Sequence, residues 1–531
     1  MKINLPKHKF LSLIAFLLII LSSCEKKVLD LQPYSSFSDQ SAFADEDKIT
    51  LSVTGVYDAA QSGFYLNGLV RGYPFGAASV EQGDMRGEDM ANNAGFYLIT
   101  YEGIYNNVTA NNSYMFQTLY ALINKANLVI EGVTGAVSQN IISAEKGNEF
   151  IAECRMLRAM AHHELVIHFA RPYNDGNGSK PGVIYRDFGV NSEATAEQAR
   201  SQKRSDFPVS VVYAKILEDL DFAETNLSAT GSLKTYRVSK AAAIALKMRV
   251  KMHKGDWAGV ITEGNKIVSA TAPFTSAIGG WQLTPSPDGP FANNTSNESI
   301  FSIKNAPTDN PDVNGALASM YSDPELNGRG LVRISPIIWS DPRWLCSDLR
   351  RTEILARAYS DAVFTNKYRD QATLSDAAPV IRYAEVLLML AEAEARTGTG
   401  ISTRGLALLN AVRNRAVTTA ADQFTAASFA DKNALIAAIL FERRIEFLAE
   451  GKRWGDIHRL AKDPDFAPLT GGGIPEKVGS GETDPSWFNC AGVASIDFST
   501  PAIPYSNFKF IWPIPLVEIQ QNENYTQNEG Y

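Results

Sequence analysis

Apolar residues recur at helical spacing through several long stretches of this chain, and this periodicity limits the possible folds more than any other feature. Between residues 113 and 133 they fall on one face, at Leu119, Leu122, Ala126, Ile130 and Val133. Residues 149–173 repeat the pattern at Phe150, Cys154, Leu157, Ala161 and Leu165. Because residues three and four apart share a face of an α-helix, both segments are predicted to be amphipathic helices. Pro172 is expected to stop the second one.

Further helical segments follow and form pairs, at residues 211–227, 240–254, 381–396, 407–416 and 433–451. Their contact faces are rich in alanine, which lets helices approach closely, as in tetratricopeptide units with a period of about 34 residues. We therefore predict a mainly α fold, a tetratricopeptide-like helical repeat scaffold with repeats at about 111–270 and 379–461. A general helical bundle is the alternative.

Three long segments interrupt this pattern, at residues of about 64–110, 271–378 and 462–510. They are rich in Gly, Asn, Asp, Pro and aromatic residues, with little periodicity apart from short strand-like runs such as Ser299–Ile303. Loops of this length inside a compact protein are usually functional. We predict that they are large irregular insertions that form a surface on the helical scaffold.

The N-terminal segment has the features of an export signal that ends at a cysteine. Three lysines, Lys2, Lys7 and Lys9, precede an apolar stretch from Phe10 to Leu21. This stretch is shorter than the roughly 20 residues that span a bilayer. The following Ser22-Ser23-Cys24 is similar to the cleavage site of bacterial lipoproteins. We predict a lipoprotein signal peptide at residues 1–23, lipidation of Cys24 and a single domain at 24–531. A plain signal peptide with an accidental cysteine is the alternative.

Charge and cysteine content narrow the function classes. The formal net charge is -8 and no basic block is present, which argues against a nucleic-acid partner. Cys154, Cys346 and Cys490 have no metal-ligand spacing, and they allow one disulfide and one free thiol without saying which. The position of Cys154 on a helix face predicts a buried, unreactive side chain.

Four segments together resemble a known family. They are residues 28–60, the helix and proline loop at 149–175, the pair IRYAEVLLMLAEAEAR and FERRIEFLAEGKRWGDIHRL, and the closing FIWPIPLVEIQQNENYTQNEGY. This set resembles the SusD/RagB-like outer-membrane nutrient-binding lipoproteins. The resemblance implies a lipid-anchored protein of the outer membrane, facing the cell exterior, that captures an oligosaccharide and delivers it to a SusC-like TonB-dependent transporter. A RagB-type peptide-binding protein and a pure assembly scaffold are the alternatives.

The same segments have physical interpretations of their own. Two charged sets, Arg382, Glu385, Glu392 and Glu394 against Arg443, Arg444, Glu446 and Arg453, are predicted to form structural ion pairs, because arginine binds carboxylates bidentately. Trp454 is expected to pack beneath a helix end. Trp512 and Ile514, beside two prolines, are expected to hold the C-terminus against the core.

No catalytic motif is present, so an enzyme is not predicted. His163 and His168 are one residue too far apart for the HExxH zinc arrangement, and the sequence contains no GxSxG, P-loop or GxGxxG motif. A glycan hydrolase, with paired carboxylates from distant segments, is the enzyme alternative. No cofactor is expected, although the oxygen-rich segments at 174–178 and 310–315 are candidates for a structural calcium ion.

A sugar site requires aromatic faces for the C–H surface of the rings and Asn, Asp or Arg groups for the hydroxyls. The insertions supply both. We predict ligand contacts at Asp84, Arg86, Tyr97, Trp281, Trp339 and Trp344. For each aromatic residue, packing in the core or against the transporter is the alternative.

Overall fold

A computed structural model of the protein describes residues 41–231, 233–352 and 354–531. The predicted signal peptide, the lipidation site Cys24 and residues 28–40 of the family-like opening lie outside the described residues. The division into a signal peptide and one domain therefore stays a prediction.

Helices dominate the described part of the chain, which confirms the mainly α fold. Those of nine or more residues are α1 (Glu46–Gln61), α2 (Ala78–Arg86), α3 (Ala110–Ser138), α4 (Ala144–Phe169), α5 (Glu193–Ser201), α6 (Val209–Asn226), α7 (Lys240–Lys254), α8 (Trp257–Ile267), α9 (Tyr383–Thr397), α10 (Thr403–Arg413), α11 (Lys432–Glu446) and α12 (Lys452–Leu460). Shorter helices lie at Leu98–Tyr101, Gly289–Ala292, Leu317–Tyr321, Pro336–Trp339 and Leu516–Gln521.

The predicted apolar faces are the faces that the helices bury. All five residues of the α4 pattern are buried, and on α3 the exception is Ile130, which is half-buried. The Ser143 hydroxyl caps the N-terminus of α4 by accepting a hydrogen bond from the Lys146 amide, 3.2 Å away. The helix ends at Phe169, before Pro172, as predicted.

Consecutive helices pack against one another in chain order. Helix α3 contacts α1 and α4, α4 contacts α6, and α6 contacts α7; the series continues through α8 and α9 to α10 and α11. Each helix thus covers the apolar face of its neighbour, as in stacked helical repeats. The tetratricopeptide type of these repeats stays a prediction.

The insertions contain more regular structure than predicted. One antiparallel strand pair connects the first and second insertions: β1 (Met90–Asn92) with β3 (Val332–Ile334). Two more pairs lie in or at the end of the second insertion and one lies in the third: β2 (Ser299–Ile303) with β6 (Ala378–Arg382), β4 (Ala356–Tyr359) with β5 (Ala362–Thr365), and β7 (Gly473–Ile474) with β8 (Ile503–Pro504). Strands of two to five residues are too short to give a clear alternation in sequence. Helix α2 also falls in the first insertion.

A disulfide joins the second and third insertions. Cys346 and Cys490, 144 residues apart in the chain, form it. Cys154 is the remaining cysteine of the described residues, and its side chain is fully buried on α4, as predicted.

The C-terminal segment is held in the core, as predicted for Trp512 and Ile514, which are both fully buried. The Trp512 amide donates to the carbonyl of His168, 2.8 Å away. The Trp454 indole donates to the carbonyl of Ile167, 3.1 Å away, beneath the end of α4. Both contacts tie the tail and α12 to the same helix.

The residues of the two predicted sets do form ion pairs, but most of them pair with residues outside the two sets. Of the two predicted sets, the pair Arg382–Glu446 is found, at 3.0 Å. The other members pair elsewhere: Glu385 with Arg249, Glu392 with Arg459, Glu394 with Arg404, Arg443 with Asp456, Arg444 with Asp89, and Arg453 with Glu88. Arg382 itself ends strand β6 and does not belong to the helix.

We give the name inner cluster to Arg382, Glu446, Glu450, Glu298, Lys367 and Arg415. Arg382 lies 2.6 Å from Glu298 and 2.8 Å from Glu450. Lys367 pairs with Glu450 at 2.7 Å, and Arg415 pairs with Glu298 at 2.6 Å. The cluster is buried and connects the second insertion to α11 and the residues just after it.

Among residues 41–231, 233–352 and 354–531, no helix combines the length and the apolar character needed to cross a membrane.

Candidate functional site

Five of the six predicted ligand contacts are buried. Their side chains are at most 3% exposed: Asp84, Arg86, Tyr97, Trp281 and Trp344. These side chains offer a ligand little accessible surface, and the aromatic ones among them pack in the core, which was the alternative. Their role as ligand contacts therefore stays a prediction. Large aromatic residues bury much area, and here they form the core of the insertions that carry them.

Asp84 and Arg86 hold the first insertion against other parts of the fold. The Asp84 carboxylate accepts hydrogen bonds from the Tyr321 hydroxyl at 2.8 Å and the Gly451 amide at 2.9 Å. Burial raises the pKa of Asp84 to about 7. The Arg86 guanidinium donates to the Phe510 carbonyl and lies 3.4 Å from the ring centroid of Trp454. Both residues therefore attach the first insertion to distant parts of the folded chain.

Trp339 is the predicted contact that keeps accessible surface. Its ring is half-buried and meets the Trp344 ring edge to face, with centroids 5.3 Å apart. The Arg351 guanidinium lies 4.6 Å from the Trp339 centroid. Trp339 ends the short helix Pro336–Trp339, and Ile337 of that helix lines an open groove.

This groove lies between α11, α12 and all three insertions, and its volume is about 460 Å³. Ligand sites typically enclose roughly 300–1,000 Å³, so the groove has the size of such a site. Its lining combines aromatic, aliphatic and charged side chains, among them Phe441, Phe466, Phe498, Ile337, Leu469, Glu88, Asp341, Arg343, Arg444, Arg453 and Glu476.

The floor of the groove is a network of two carboxylates and two arginines. Arg453 donates to Glu88 over 3.0 Å, and Arg444 donates to Asp89 over 3.0 Å. Arg444 also lies 3.2 Å from Glu88. Burial acts to raise the pKa of Glu88, but Arg453 and Arg444 outweigh it and lower that pKa to about 2. Burial raises the pKa of Asp89, by contrast, in spite of Arg444. Glu88 and the two arginines are therefore the groups of the floor that offer charged hydrogen bonds.

One wall carries an arginine stacked on a phenylalanine. Helix α11 presents Phe441, and the Arg343 guanidinium lies 4.1 Å from its ring centroid. Arg343 is fixed by a bidentate ion pair with Asp341, at 2.9 and 2.5 Å. Phe498, which is 40% exposed, lies on the third insertion at the same groove. Planar groups and an exposed ring are thus positioned for a ligand with apolar faces and polar edges.

The carboxylates of the groove are arranged for hydrogen bonding. Burial raises the pKa of Asp341, but hydrogen bonds from Arg343 outweigh it, so the pKa lies below its ordinary value. Glu88 has a pKa of about 2 for the corresponding reason. A glycosidase general acid has a raised pKa instead. Burial also raises the pKa values of Asp84 and Asp89, but neither side chain belongs to the lining of the groove.

Sequence reasoning missed the residues that build the groove. Phe441 and Arg444 lie in the run FERRIEF, three residues apart and so on one helix face. That spacing was an available signal, but the run was interpreted as ion pairing within the fold. Phe466 and Phe498 belong to the third insertion, where an aromatic-rich composition was the only signal.

A second surface, which we call the apolar patch, lies on the first insertion. It consists of exposed side chains 37–63% accessible: Phe64, Leu66, Leu69, Ile99, Ile104 and Val108. Asn111 links residues 64–69 of the patch to residues 99–108. Its Oδ1 accepts from the Tyr65 hydroxyl at 3.5 Å, and its Nδ2 donates to the Thr100 hydroxyl at 3.4 Å. Exposed apolar patches of this kind mark interaction surfaces.

No metal centre is formed by the side chains that the structure describes: no group of three or more His, Cys, Asp or Glu residues there could hold an ion. The predicted calcium ion stays a prediction.

The groove on the helical framework has the size and lining of a ligand site. Residues 347–531 match the model of the SusD family, and residues 27–252 match a model described as starch-binding, associating with the outer membrane. The chain belongs to the SusD/RagB-like family, which confirms the resemblance found in the sequence. The family is associated with glycan binding at the outer membrane.

Relatives cover nearly the whole chain. The SusD-like protein P38 of Formosa agariphila is 24% identical over 88% of this chain and 95% of its own length. A SusD superfamily protein of Bacteroides fragilis has a TM-score of 0.74 and 26% identity, with 91% of this chain and 99% of that chain covered. A laminarin-binding SusD-like protein has a TM-score of 0.61 and 18% identity, over 92% and 100%. This last likeness shows the shared fold alone.

Proposed function

We propose that this protein is a cell-surface lipoprotein that captures an oligosaccharide in the groove and delivers it to a SusC-like TonB-dependent transporter. The observation that carries the proposal is the groove itself, which combines the exposed ring of Phe498 with the charged groups of Asp341 and Arg343. The description of the matching family model as starch-binding supports a glycan ligand, as does the laminarin-binding protein of similar fold.

The groove suits sugars for a physical reason. A sugar ring presents C–H groups on its faces, which pack on aromatic rings, and hydroxyls at its edges, which can donate to carboxylates and accept from guanidinium groups. Asp341 and Arg343 are already paired with each other, at 2.5 Å, so their geometry is fixed before a ligand arrives. A preorganised site loses less conformational entropy on binding.

Delivery requires a partner and an anchor. We assign the apolar patch to the contact with the transporter, because a large barrel would cover exposed side chains such as Leu66 and Val108. Lipidation at Cys24 would hold the protein at the outer membrane, with several acyl chains needed for a stable anchor. The outward-facing orientation follows from the proposed role, in which ligand is taken up from outside the cell.

Calorimetric titration of the mature protein with laminarin and starch oligosaccharides tests this proposal. Phe498→Ala removes the exposed ring, and Arg343→Ala removes the stacked cation; each is expected to weaken binding about tenfold, or about 1.4 kcal/mol. Tyr359→Ala is the matched control, because Tyr359 is a similarly exposed aromatic residue that does not line the groove.

Three results would contradict the proposal. They are an affinity in both groove variants equal to that of the unmodified protein, binding of peptides in place of glycans, and the appearance of new reducing ends during incubation with the glycans. The last result would identify a hydrolase.

A further inference from the structure

A second cleft lies where the helix Leu516–Gln521 meets the segment 186–200. Its volume is about 280 Å³, and none of its lining residues lines the groove. We call it the C-terminal cleft. The polar residues that define it are Asn124, Arg186, Arg200, Glu518, Gln521 and Asn522.

Arg186 is the less exposed of the two arginines that line this cleft, and no carboxylate of the described residues lies within ion-pairing distance of it. Arg186 donates to the Ala199 carbonyl over 3.3 Å, and its Nε atom is buried without a hydrogen-bond partner. Within the described ranges, no carboxylate lies within 4 Å of its guanidinium nitrogens. Burial lowers the pKa of Arg186 below its ordinary value and outweighs the attraction of Glu518 and Asp187, which acts to raise that pKa.

The anion of the cleft is likewise unpaired. No cation of the described residues lies within 4 Å of the Glu518 carboxylate. Burial raises the pKa of Glu518 and outweighs the influence of Arg186 and of the neighbouring Asn522 side chain, which act to lower that pKa. The Asn522 side chain is 3% exposed, and its Nδ2 atom has no hydrogen-bond partner of good geometry. Glu518 and Arg186 thus line one cavity more than 4 Å apart, where their attraction does not outweigh the burial of either group.

We propose that the C-terminal cleft binds a small zwitterion, for which a free α-amino acid is the simplest example. The carboxylate of the ligand faces Arg186 and the Asn522 amide, and its ammonium group faces Glu518. A ligand with both charges compensates both desolvated groups through charge-assisted hydrogen bonds. A neutral sugar compensates neither, and a simple anion leaves Glu518 unpaired.

The apolar wall of the cleft fits the remaining part of such a ligand. Val190, Ala196 and Ala199 line the cleft between the two charged groups and the rim. Small aliphatic residues leave space for a short side chain. This assignment shares no residue with the groove, so it stands or falls independently of the proposed glycan function.

Calorimetry on the mature protein tests the assignment with four matched probes: L-alanine, propionate, ethylamine and glucose. We expect alanine to bind at least tenfold more tightly than each of the other three, because each of those lacks one charge or both. This comparison uses the unmodified protein, so it does not depend on the folding of a variant.

Two variants locate the binding. Glu518→Gln is expected to weaken alanine binding about tenfold while leaving the weaker binding of propionate unchanged. Arg186→Gln is expected to weaken both. Lys215→Gln is the control, since Lys215 is a nearby surface cation that pairs with Asp187 at 3.1 Å and does not line the cleft.

The assignment is overturned if alanine produces no binding at about 10 mM, well above a millimolar Kd. It is also overturned if glucose binds as tightly as alanine, or if alanine affinity is the same in Glu518→Gln as in the unmodified protein. Loss of glycan binding in Arg343→Ala without any change in alanine binding would show that the two sites are separate.

Discussion

Two clusters of arginine and carboxylate groups meet at α11 and the residues beyond it, and they differ in their access to solvent. In the inner cluster, the side chains of Arg382, Glu446 and Glu450 are at most 2% exposed. In the groove floor, Arg444 and Arg453 retain 16% and 12% side-chain exposure. The same chemistry therefore has two uses: the dry cluster fixes the position of the second insertion, and the accessible one offers hydrogen-bonding groups to a ligand.

The difference follows from the cost of burying charge. Removing one partner from a buried ion pair leaves an uncompensated charge, whereas water can replace a partner at an accessible site. The more buried the substituted side chain is, the larger the loss of stability that we expect. The loss of ligand affinity should follow the opposite order and be largest for accessible side chains.

The largest effect is expected for Arg382→Ala. It leaves Glu298, Glu446 and Glu450 short of a shared cation, so we expect a loss of about 3–5 kcal/mol in the free energy of unfolding. Urea denaturation at neutral pH measures it. A loss below about 1 kcal/mol would show that water can replace the missing partner in the inner cluster, as it does at an accessible ion pair.

Acid should affect a third buried group, the histidines, before either cluster. Burial lowers the pKa of His162, His163 and His458 to about 3. The unfolded state binds their protons at pH 5 and the folded state does not, so stability falls as the pH drops from about 6.5 towards 3, by about 2 kcal/mol per histidine at pH 5. Asp84, with its pKa raised to about 7, opposes this change.

We expect a net loss of stability between pH 7.5 and pH 5, because burial also lowers the pKa values of His168 and His253, so five histidines outweigh Asp84 and Glu81, two carboxyls whose pKa values burial raises. Urea midpoints at the two pH values measure it. Glu88 and Glu446 have pKa values of about 2 and stay ionised at both pH values, whereas burial raises the pKa of Asp89, which opposes the loss in the same way as Asp84. Equal stability at the two pH values would contradict the burial of neutral histidines.

A smaller effect is expected for Arg453→Ala in the groove floor. Glu88 keeps Arg444 at 3.2 Å, and water can reach the site, so we expect a loss of about 1–2 kcal/mol. Thermal unfolding measures it, with Arg453→Lys as the charge-conserving control. A loss as large as that of Arg382→Ala would remove the distinction between the two clusters.

The smallest effect on stability is expected for Arg343→Ala, at less than about 1 kcal/mol. Its side chain is 60% exposed, and its partner Asp341 can be solvated. The tenfold loss of glycan affinity expected for this variant then comes with an intact fold. A destabilised Arg343→Ala protein would mean that this pair supports structure and does not only present groups to a ligand.

Local patterns in the sequence predicted the parts of the fold that depend on local spacing. The buried face of α4, its end before Pro172 and the burial of Trp454, Trp512 and Ile514 were all expected and found. A helix face is determined by residues three or four positions apart, so a single sequence contains that information.

Partner choice across long distances could not be predicted in the same way. Glu385 pairs with Arg249, 136 positions away, because α7 and α9 meet in the folded chain. Trp281 and Trp344 were expected at a surface, but composition cannot tell an aromatic residue in a core from one at a binding site. The pairing of Cys346 with Cys490 was open for the same reason.

The bond between Cys346 and Cys490 determines where this protein can be made correctly. It connects the segment that carries Arg343 with the segment that carries Phe498, two parts of the groove that are distant in the chain. Thiols stay reduced in most cytoplasms and are oxidised after export. Protein prepared from a reducing compartment should therefore lack the covalent link between these two parts of the groove. The link should form only when the two thiols are oxidised.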